Sequence, residues 1–476
     1  MNVLFFVCDT LRAARLGCYR YFRNTSPTID CLAAEGVLFE DFYCSGISTG
    51  NAFTCLHTGL PGIRHRYYAT PAGACNVMNF NDTLPTLAEM VQSNTRHTTV
   101  AVDNLINFAG HMKQTVRGYE FYINPTRESG FPHPEYTAGE ANARFLPWLR
   151  AYAGKEPFFA FVHYWDAHHV PYRAPGFRER FSQPRDSLDG LPVRKAAAGY
   201  DYVPDWGRVG SIVWDITLKD KFGKKVLEAD GGLGTIEAAR KEKGELSQDL
   251  YDCSVAYMDD QIRQVLDVLK EQGALDDTLI VLTADHGEGM GIHKSWGHGQ
   301  LYEHTLHIPL ILWRPGRLPQ GKRIKGLSQH IDVAPTILEL MGATQPGKPL
   351  LVRLGDRSPI AEFGRHDVRD TKMEGRSLVP RILNDAPGYD FVVTERRRTN
   401  KEVGQRAITM PPWRYIESTD GQQRELYNVA DDPMECVNLV ERDPDRAREF
   451  SGKLRGWIQA HLQPGEKDPM LSAFGE

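Results

Sequence analysis

Residues 3–9 read Val-Leu-Phe-Phe-Val-Cys-Asp, six apolar side chains followed by an aspartate. A continuous apolar run of this length is typical of a parallel strand that is buried on both faces. The same pattern recurs at residues 158–164, 279–285 and 308–313. Strands that alternate with helices predict an α/β fold, with a large, mostly parallel sheet sandwiched by helices. Helical spacing of apolar residues occurs at 27–36, 84–93, 137–153, 247–272 and 332–342.

The chain is expected to form two parts of unequal size. Its 476 residues exceed what one hydrophobic core normally supports. From about residue 388 the pattern changes to short alternating strands and a final helix near 443–462, which predicts a small C-terminal antiparallel sheet plus helix. We therefore expect a large domain over 1–385 and a small α+β subdomain over 386–476. Residues 175–245 have little periodicity and are interpreted as an insertion, either covering a site or merely solvated.

The composition excludes several classes of protein. A formal net charge of −5 argues against nucleic-acid binding, which needs a basic surface to neutralise phosphates. No run of 18 apolar residues occurs, so no membrane association through a spanning helix is expected. The first residues lack the basic and apolar regions of an export signal, and the eight cysteines lack CxxC spacing and are expected to be reduced. We expect a cytoplasmic protein, and a homo-oligomer is compatible with the sequence.

Acidic and imidazole side chains cluster where strands end or helices begin. The clusters are Asp9, Ser48–Asn51, Asp166–His169 and Asp285–Glu288. Each alone has an ordinary explanation, because Asp, Ser and Thr are favoured helix caps and a histidine is often a surface residue. Together, at the strand ends of one α/β sheet, carboxylates and imidazoles match the ligands of a divalent cation.

A series of short motifs runs in a fixed order through nearly the whole chain. Asp9-Thr10-Leu11-Arg12 opens it, Thr283 to Glu288 forms its central block, and Gly297-His298-Gly299 follows. The series resembles the sulfatase family of the alkaline phosphatase superfamily, which implies an alkaline phosphatase-like fold and a hydrolase. Further matching segments lie at 16–19, 25–30, 58–59, 301–303, 308–310, 330–338, 375–378 and 425–439.

The resemblance implies one divalent metal ion, bound by Asp9, Asp285 and His286, with residue 49 as a further ligand. Many family members have two adjacent carboxylates at the start of the chain, whereas here Thr10 follows Asp9. Calcium-type sulfatases tend to have Asn where this chain has His286. Because calcium prefers an all-oxygen shell, the imidazole favours Mn, Fe or Zn over Ca.

The largest departure from the family pattern lies at the nucleophile. Sulfatases carry a C/S-x-P-x-R motif whose Cys or Ser becomes formylglycine, and the matching residues here are Thr49 to Phe53, without the Pro or the Arg. Thr cannot become formylglycine, so no formylglycine is expected. A Thr at this place resembles the phosphoryl-transferring members of the superfamily, in which a phosphothreonine intermediate forms.

Other polar residues are candidates to bind the substrate or to protonate the leaving group. Asn51 and the backbone N–H groups after Thr49 are expected to hold the anion at a helix N-terminus. Asn104 falls near a substrate-binding Lys of the family. His298 lies four residues before Tyr302, where the family often has Lys, and either His168 or His169 matches the family's leaving-group acid. With two cationic positions lost, a diester suits the site better than a monoester.

Three hypotheses for function follow. The first is a metal-dependent hydrolase that cleaves a phosphodiester or phosphonate ester, a small-molecule anionic ester, with Thr49 as nucleophile. The second is a sulfuric ester hydrolase that works without formylglycine. The third is a repurposed sulfatase fold that binds a ligand or runs non-hydrolytic chemistry on its metal, because a fold does not determine a function.

Overall fold

An eight-stranded sheet forms the centre of the computed structural model. Its strands are β1 (Asn2–Cys8), β2 (Val37–Tyr43), β3 (Thr98–Val102), β4 (Phe121–Ile123), β5 (Phe158–Tyr164), β6 (Thr278–Thr283), β7 (Leu310–Trp313) and β8 (Lys322–Gln329). The structure describes residues 1–68, 84–108, 112–126, 136–168, 248–290, 297–343, 373–396 and 403–471, with single residues at 177 and 293 and short pieces at 194–195, 201–202, 218–219, 225–227, 351–352 and 369–370.

The sheet is mostly parallel, as the sequence predicts. The strand order is β8-β2-β7-β6-β1-β5-β3-β4. Strand β1 pairs in parallel with β5 and β6, β3 with β4 and β5, and β2 with β8. Strand β7 runs antiparallel to both of its neighbours. The chain between β6 and β7 contains no long crossover helix in the described residues, and a parallel connection needs such a crossover.

Helices cover both faces of the sheet. Every residue of β1, β5 and β6 is buried, and because successive side chains point to opposite faces, both faces must be covered. The helix bounds are α1 (Pro27–Glu35), α2 (Thr49–Thr58), α3 (Gly62–His65), α4 (Leu87–Asn94), α5 (Leu105–Phe108), α6 (Ala138–Tyr152), α7 (Gln248–Glu271), α8 (Glu303–Leu306), α9 (Val333–Leu340), α10 (Val379–Asn384) and α11 (Pro444–His461). Helices α1 and α6 pack on α7, whereas α2 packs on α4 and α9.

The C-terminal part forms a four-stranded antiparallel sheet. Its strands are β9 (Val392–Arg396), β10 (Gln405–Met410), β11 (Trp413–Ser418) and β12 (Arg424–Asn428), paired in chain order. Helix α11 packs on β11, and Phe450 lies in a small core with Ile408, Tyr415 and Leu426. The predicted antiparallel sheet plus helix is confirmed, with β12 as a strand that the sequence pattern did not indicate.

Two expectations about domain organisation stay predictions. The division at residues 385 and 386 is one, because β9 also contacts β8 of the large sheet. The insertion at 175–245 is the other, because nearly all of it lies outside the described residues. Among the helices that the structure describes, none is both long enough and apolar enough to span a bilayer.

Candidate active site

Asp9, Asp285 and His286 come together at the carboxyl edge of the sheet. Asp9 follows β1 and Asp285 follows the neighbouring parallel strand β6, with Val7 paired to Thr283 in the register. Each aspartate stands two residues beyond that pair, so the two carboxylates emerge side by side. Ligand atoms of the three residues all lie within 4.8 Å of one another, and all three side chains are buried.

Several ligand atoms of this trio are buried without a hydrogen-bond partner. They are both carboxylate oxygens of Asp9, Oδ2 of Asp285 and Nε2 of His286. Oδ1 of Asp285 accepts from the backbone N–H groups of Thr10 (2.9 Å) and His286 (2.7 Å), which fixes the carboxylate. Nδ1 of His286 donates to the carbonyl of Gly287 at 3.0 Å, so Nε2 carries a lone pair. Buried polar atoms in proteins are normally paired, and this donor set fits a divalent cation.

Thr10 supplies an N–H group where many family members have a second carboxylate. Its φ of +55° is left-handed, an uncommon conformation for a β-branched residue. The strain is compensated locally, because Tyr251 donates its hydroxyl to the Thr10 carbonyl at 2.7 Å and the Thr10 N–H group reaches Asp285. Thr10 therefore orients a candidate ligand with its backbone.

The charges and pKa values of the three residues favour the binding of a cation. Burial, followed by the charge of Asp285, raises the pKa of Asp9 to about 7. Burial lowers the pKa of His286, which keeps its imidazole neutral. Two carboxylates and a neutral imidazole in a buried position attract a cation.

Sequence reasoning missed a pair of residues behind Asp9. Nδ1 of His163 lies 3.0 Å from Oδ1 of Asp103, and Nε2 of His163 lies 3.4 Å from Oδ2 of Asp9. Tyr122 donates its hydroxyl to Oδ2 of Asp103 at 2.9 Å. Burial opposes the charge on His163, but the hydrogen bonds to Asp103 and Asp9 outweigh it and raise its pKa to about 9. A signal was present, because Thr98–Val102 followed by Asp103 repeats the pattern of a strand ending in Asp.

Thr49 is the first residue of helix α2, after Ser48 in extended conformation. Phe53, one helical turn later, packs its ring on His163 with 4.8 Å between centroids. Residues four apart share a helix face, so Thr49 lies on the face of α2 that carries Phe53. His330 ties the preceding loop to the same edge, accepting from the Ser45 N–H at 3.2 Å and donating to the Ala284 carbonyl at 3.0 Å. The roles of Thr49 as nucleophile and ligand stay predictions.

The two candidate asparagines are engaged in packing within the protein. Asn51 is buried, and its amide leaves no room for a Cβ atom on Gly46. Oδ1 of Asn104 accepts from the Trp165 indole N–H at 3.0 Å. These contacts give both residues a structural task, and their binding of a substrate stays a prediction.

Two further imidazoles, those of His298 and His168, are grouped next to the ligand trio. The ring of His298 stacks on that of His286 with 4.3 Å between centroids, and His168 lies 5.1 Å from His298. Burial lowers the pKa of His298, but the hydrogen bond and charge of Glu288, whose Oε2 lies 3.4 Å from Nδ1, outweigh burial and raise it. The structure thus favours a protonated His298 beside the trio.

Two members of the cluster Asp166–His169 need separate comment. Asp166 accepts from the backbone N–H of Ala138 at 2.9 Å and so caps helix α6. His169 lies outside the described residues, so the choice between His168 and His169 as leaving-group acid stays open.

A mostly parallel sheet with this carboxylate and imidazole cluster at its carboxyl edge defines an ester hydrolase of the alkaline phosphatase-like fold. The sulfatase family model matches residues 1–343. The chain therefore belongs to the sulfatase family.

Individual relatives are similar along most of the chain. The uncharacterized sulfatase YidJ of Escherichia coli is 24% identical, with 98% of this chain and 91% of that protein covered. Arylsulfatase K of Canis lupus familiaris is 23% identical over 66% of this chain, and the chain spans only 54% of its length. Among solved structures, the phosphonate monoester hydrolase of Agrobacterium radiobacter has a TM-score of 0.68 at 20% identity, with 97% and 96% covered. A 2-O GAG sulfatase has a TM-score of 0.67 at 20% identity, with 97% and 92% covered.

Proposed function

We propose that the protein hydrolyses a phosphodiester or a phosphonate ester with Thr49 as the nucleophile. The observation that carries the proposal is the buried trio of Asp9, Asp285 and His286, whose ligand atoms converge at the sheet edge. Helix α2 begins with Thr49 and is tied to the same edge through Phe53 and His330. The substrate class is a small anionic ester.

The trio would hold one divalent ion, with Thr49 as a further ligand. Two carboxylates and an imidazole favour Mn, Fe or Zn over Ca. When bound, such an ion lowers the pKa of a coordinated hydroxyl and neutralises charge on the oxygens of the transferring group. Asp103 would orient His163 against Asp9, as partners behind metal ligands commonly do.

The remaining residues have separate tasks in the proposed reaction. The Thr49 hydroxyl loses its proton to solvent before the attack, and the resulting alkoxide attacks phosphorus while backbone N–H groups at the start of α2 bind the phosphoryl oxygens. The bond to the leaving oxygen breaks as that oxygen takes a proton from His298, or from His168. Water then attacks phosphorus and releases Thr49, with the same imidazole as base.

Two features support phosphorus rather than sulfur as the centre attacked. Thr49 cannot become the formylglycine that sulfatases use, and a sulfated threonine would be difficult to turn over. Phe53 occupies the position of the sulfatase Arg and packs its ring on His163 and Phe161. A site that lacks this guanidinium suits a diester or phosphonate ester with one negative charge.

Sulfate-ester hydrolysis is the second candidate, and membership of the sulfatase family favours it. A screen distinguishes the candidates: the metal-stripped protein is reloaded with Mn, Zn, Fe(II) or Ca and assayed on bis-p-nitrophenyl phosphate, p-nitrophenyl phenylphosphonate, p-nitrophenyl phosphate and p-nitrophenyl sulfate. We expect the highest kcat/KM on the first two substrates, with Mn or Zn. Turnover of sulfate alone would overturn the proposal, and metal binding without turnover of any substrate would indicate a repurposed fold.

A further inference from the structure

Arg12 is a buried cation whose guanidinium has no partner in the part of the chain that the structure describes. The residue is 1% exposed, and Nε, Nη1 and Nη2 are each buried without a hydrogen bond. The backbone is held firmly, because the Arg12 N–H donates to the Tyr251 hydroxyl at 3.0 Å. The side chain passes across Gly287, where a Cβ atom would lie 3.1 Å from Cγ of Arg12 and 2.2 Å from the carbonyl oxygen of His304.

An arginine in this position keeps its charge and needs a partner. A guanidinium offers five N–H donors and is not deprotonated in proteins. An unpaired buried charge is far more costly than an unpaired neutral group. The three unpartnered nitrogens therefore require an acceptor that the described side chains do not supply.

The nearby carboxylates are already engaged. Asp252 accepts from Nη1 of Arg15, from Nη1 of Arg23 (2.5 Å each) and from the Tyr21 hydroxyl (2.6 Å). Glu288 accepts from the Gly289 N–H at 2.8 Å and contacts His298. Asp252 thus serves Arg15 and Arg23, and neither carboxylate is hydrogen-bonded to Arg12.

A second unpartnered donor belongs to a residue close to Arg12. Nε2 of His304 is buried without a hydrogen bond, and the His304 carbonyl oxygen and Cγ of Arg12 both lie beside Gly287. Burial and then the charge of Arg12 lower the pKa of His304, which favours a neutral imidazole. A neutral imidazole donates one hydrogen bond.

We propose that the guanidinium of Arg12, together with the His304 imidazole, binds a single halide ion, chloride under ordinary conditions, inside the fold beneath residues 285–288. A monoatomic anion is the simplest partner because the side chain is buried and packs closely beside Gly287. An anion rather than water fits because water would leave the charge of Arg12 uncompensated.

Bromide is a direct probe of this site, since it replaces chloride and scatters anomalously. Crystals of the full chain grown without chloride and soaked in sodium bromide are expected to show an anomalous peak about 3.2–3.5 Å from the Arg12 nitrogens. Water alone, or a carboxylate of the chain itself, on the guanidinium would overturn the proposal. This experiment requires neither a variant nor turnover, so it is independent of the proposed hydrolysis.

Thermal unfolding provides the second test. With gluconate replacing chloride at constant ionic strength, the midpoint Tm of the protein is expected to rise by roughly 1 °C for each tenfold increase in chloride. Arg12→Met should lose this dependence, whereas Arg263→Met, which removes an exposed arginine of α7, should keep it. Equal chloride dependence in Arg12→Met and the unchanged protein would contradict the site. If Arg12→Met does not fold, the bromide experiment decides alone.

Discussion

Buried charged side chains are paired with one another in the C-terminal subdomain, whereas those at the carboxyl edge of the large sheet keep atoms without a partner. In the subdomain, Arg406 donates to both oxygens of Asp468 at 2.6 and 2.8 Å and to Glu395 at 3.0 Å. Arg414 likewise lies 2.7 Å from Glu435. At the sheet edge, Asp9, Asp285 and His286 are equally buried, yet they keep ligand atoms without a partner.

The difference separates structural charges from functional ones. A buried ion pair with matched hydrogen bonds compensates itself, and its loss leaves an isolated charge that destabilises the fold. A buried trio with unpartnered atoms is compensated only by something from outside, which we propose to be a cation at the sheet edge. Arg12 falls into the second group with the opposite sign, which is why an anion is expected there.

The largest effect is expected for Thr49→Ala. Without the hydroxyl, no bond to phosphorus can form, and kcat on bis-p-nitrophenyl phosphate should fall on the order of 10⁴-fold or more. Steady-state kinetics at saturating manganese measure this fall in kcat. Thr49→Ser keeps a hydroxyl and is the matched control, with a loss of about tenfold. Comparable activity in Thr49→Ala and the unchanged protein would show that the nucleophile lies elsewhere.

His298→Gln tests whether the imidazole beside the trio protonates the leaving group. Loss of a general acid should lower kcat by about 10²–10⁴-fold on alkyl esters, whose leaving groups need a proton. The loss should be much smaller on p-nitrophenyl esters, because p-nitrophenolate leaves unprotonated. His168→Gln is the matched variant. The acid is the histidine whose substitution gives the larger difference between the loss of kcat on alkyl esters and the loss on p-nitrophenyl esters. An equal loss on both kinds of ester would contradict an acid role for His298.

Asp468→Asn probes the paired charges of the subdomain. It removes a bidentate partner of Arg406 and is expected to lower the free energy of unfolding by about 3 kcal/mol, measured by urea titration. Activity per folded molecule should be unchanged, because the pair lies in the C-terminal part.

Asp9→Asn is the matched change at the unpaired site. It should raise the free energy of unfolding, whereas Asp468→Asn should lower it. It removes a negative charge close to Asp285, while the new amide oxygen can still accept from Nε2 of His163, so the metal-free protein should gain on the order of 1 kcal/mol. Manganese should no longer raise Tm. If both variants destabilise the metal-free protein equally, the contrast between the two regions is wrong.

Asp103→Asn is expected to change metal affinity more than turnover. It weakens the acceptor of His163 and should lower metal affinity by about 10–100-fold, measured by metal titration. kcat at saturating metal should stay within a few-fold. Tyr122→Phe, which removes only the hydroxyl on the other oxygen of Asp103, should have less effect. Unchanged metal affinity in Asp103→Asn would remove Asp103 and His163 from the site.

Much of the fold and part of the site could be predicted from the sequence, for a definite physical reason. Asp9 and Asp285 end long apolar runs, and the carboxyl ends of neighbouring parallel strands meet at one edge. The β1 to β6 register then places the two carboxylates side by side. The orientation of β7 was not evident, because an apolar run carries no information about strand direction.

The rest depends on contacts between strands that are distant in the chain. His163 reaches Asp9 and Asp103 because β5 lies between β1 and β3, an order that no local pattern specifies. Glu288 was visible in its motif, but no local pattern specifies its contact with His298, ten residues later in the chain. The isolation of Arg12 is likewise a property of packing, since its motif alone does not reveal which partners are absent.

The most direct test of the central claim is a crystal structure of the unchanged protein loaded with manganese. The account predicts one ion bound by Asp9, Asp285 and His286, with the Thr49 hydroxyl oxygen about 2.0–2.3 Å from it. An ion at another place, or a Thr49 oxygen more than about 4 Å from the ion, would contradict the account.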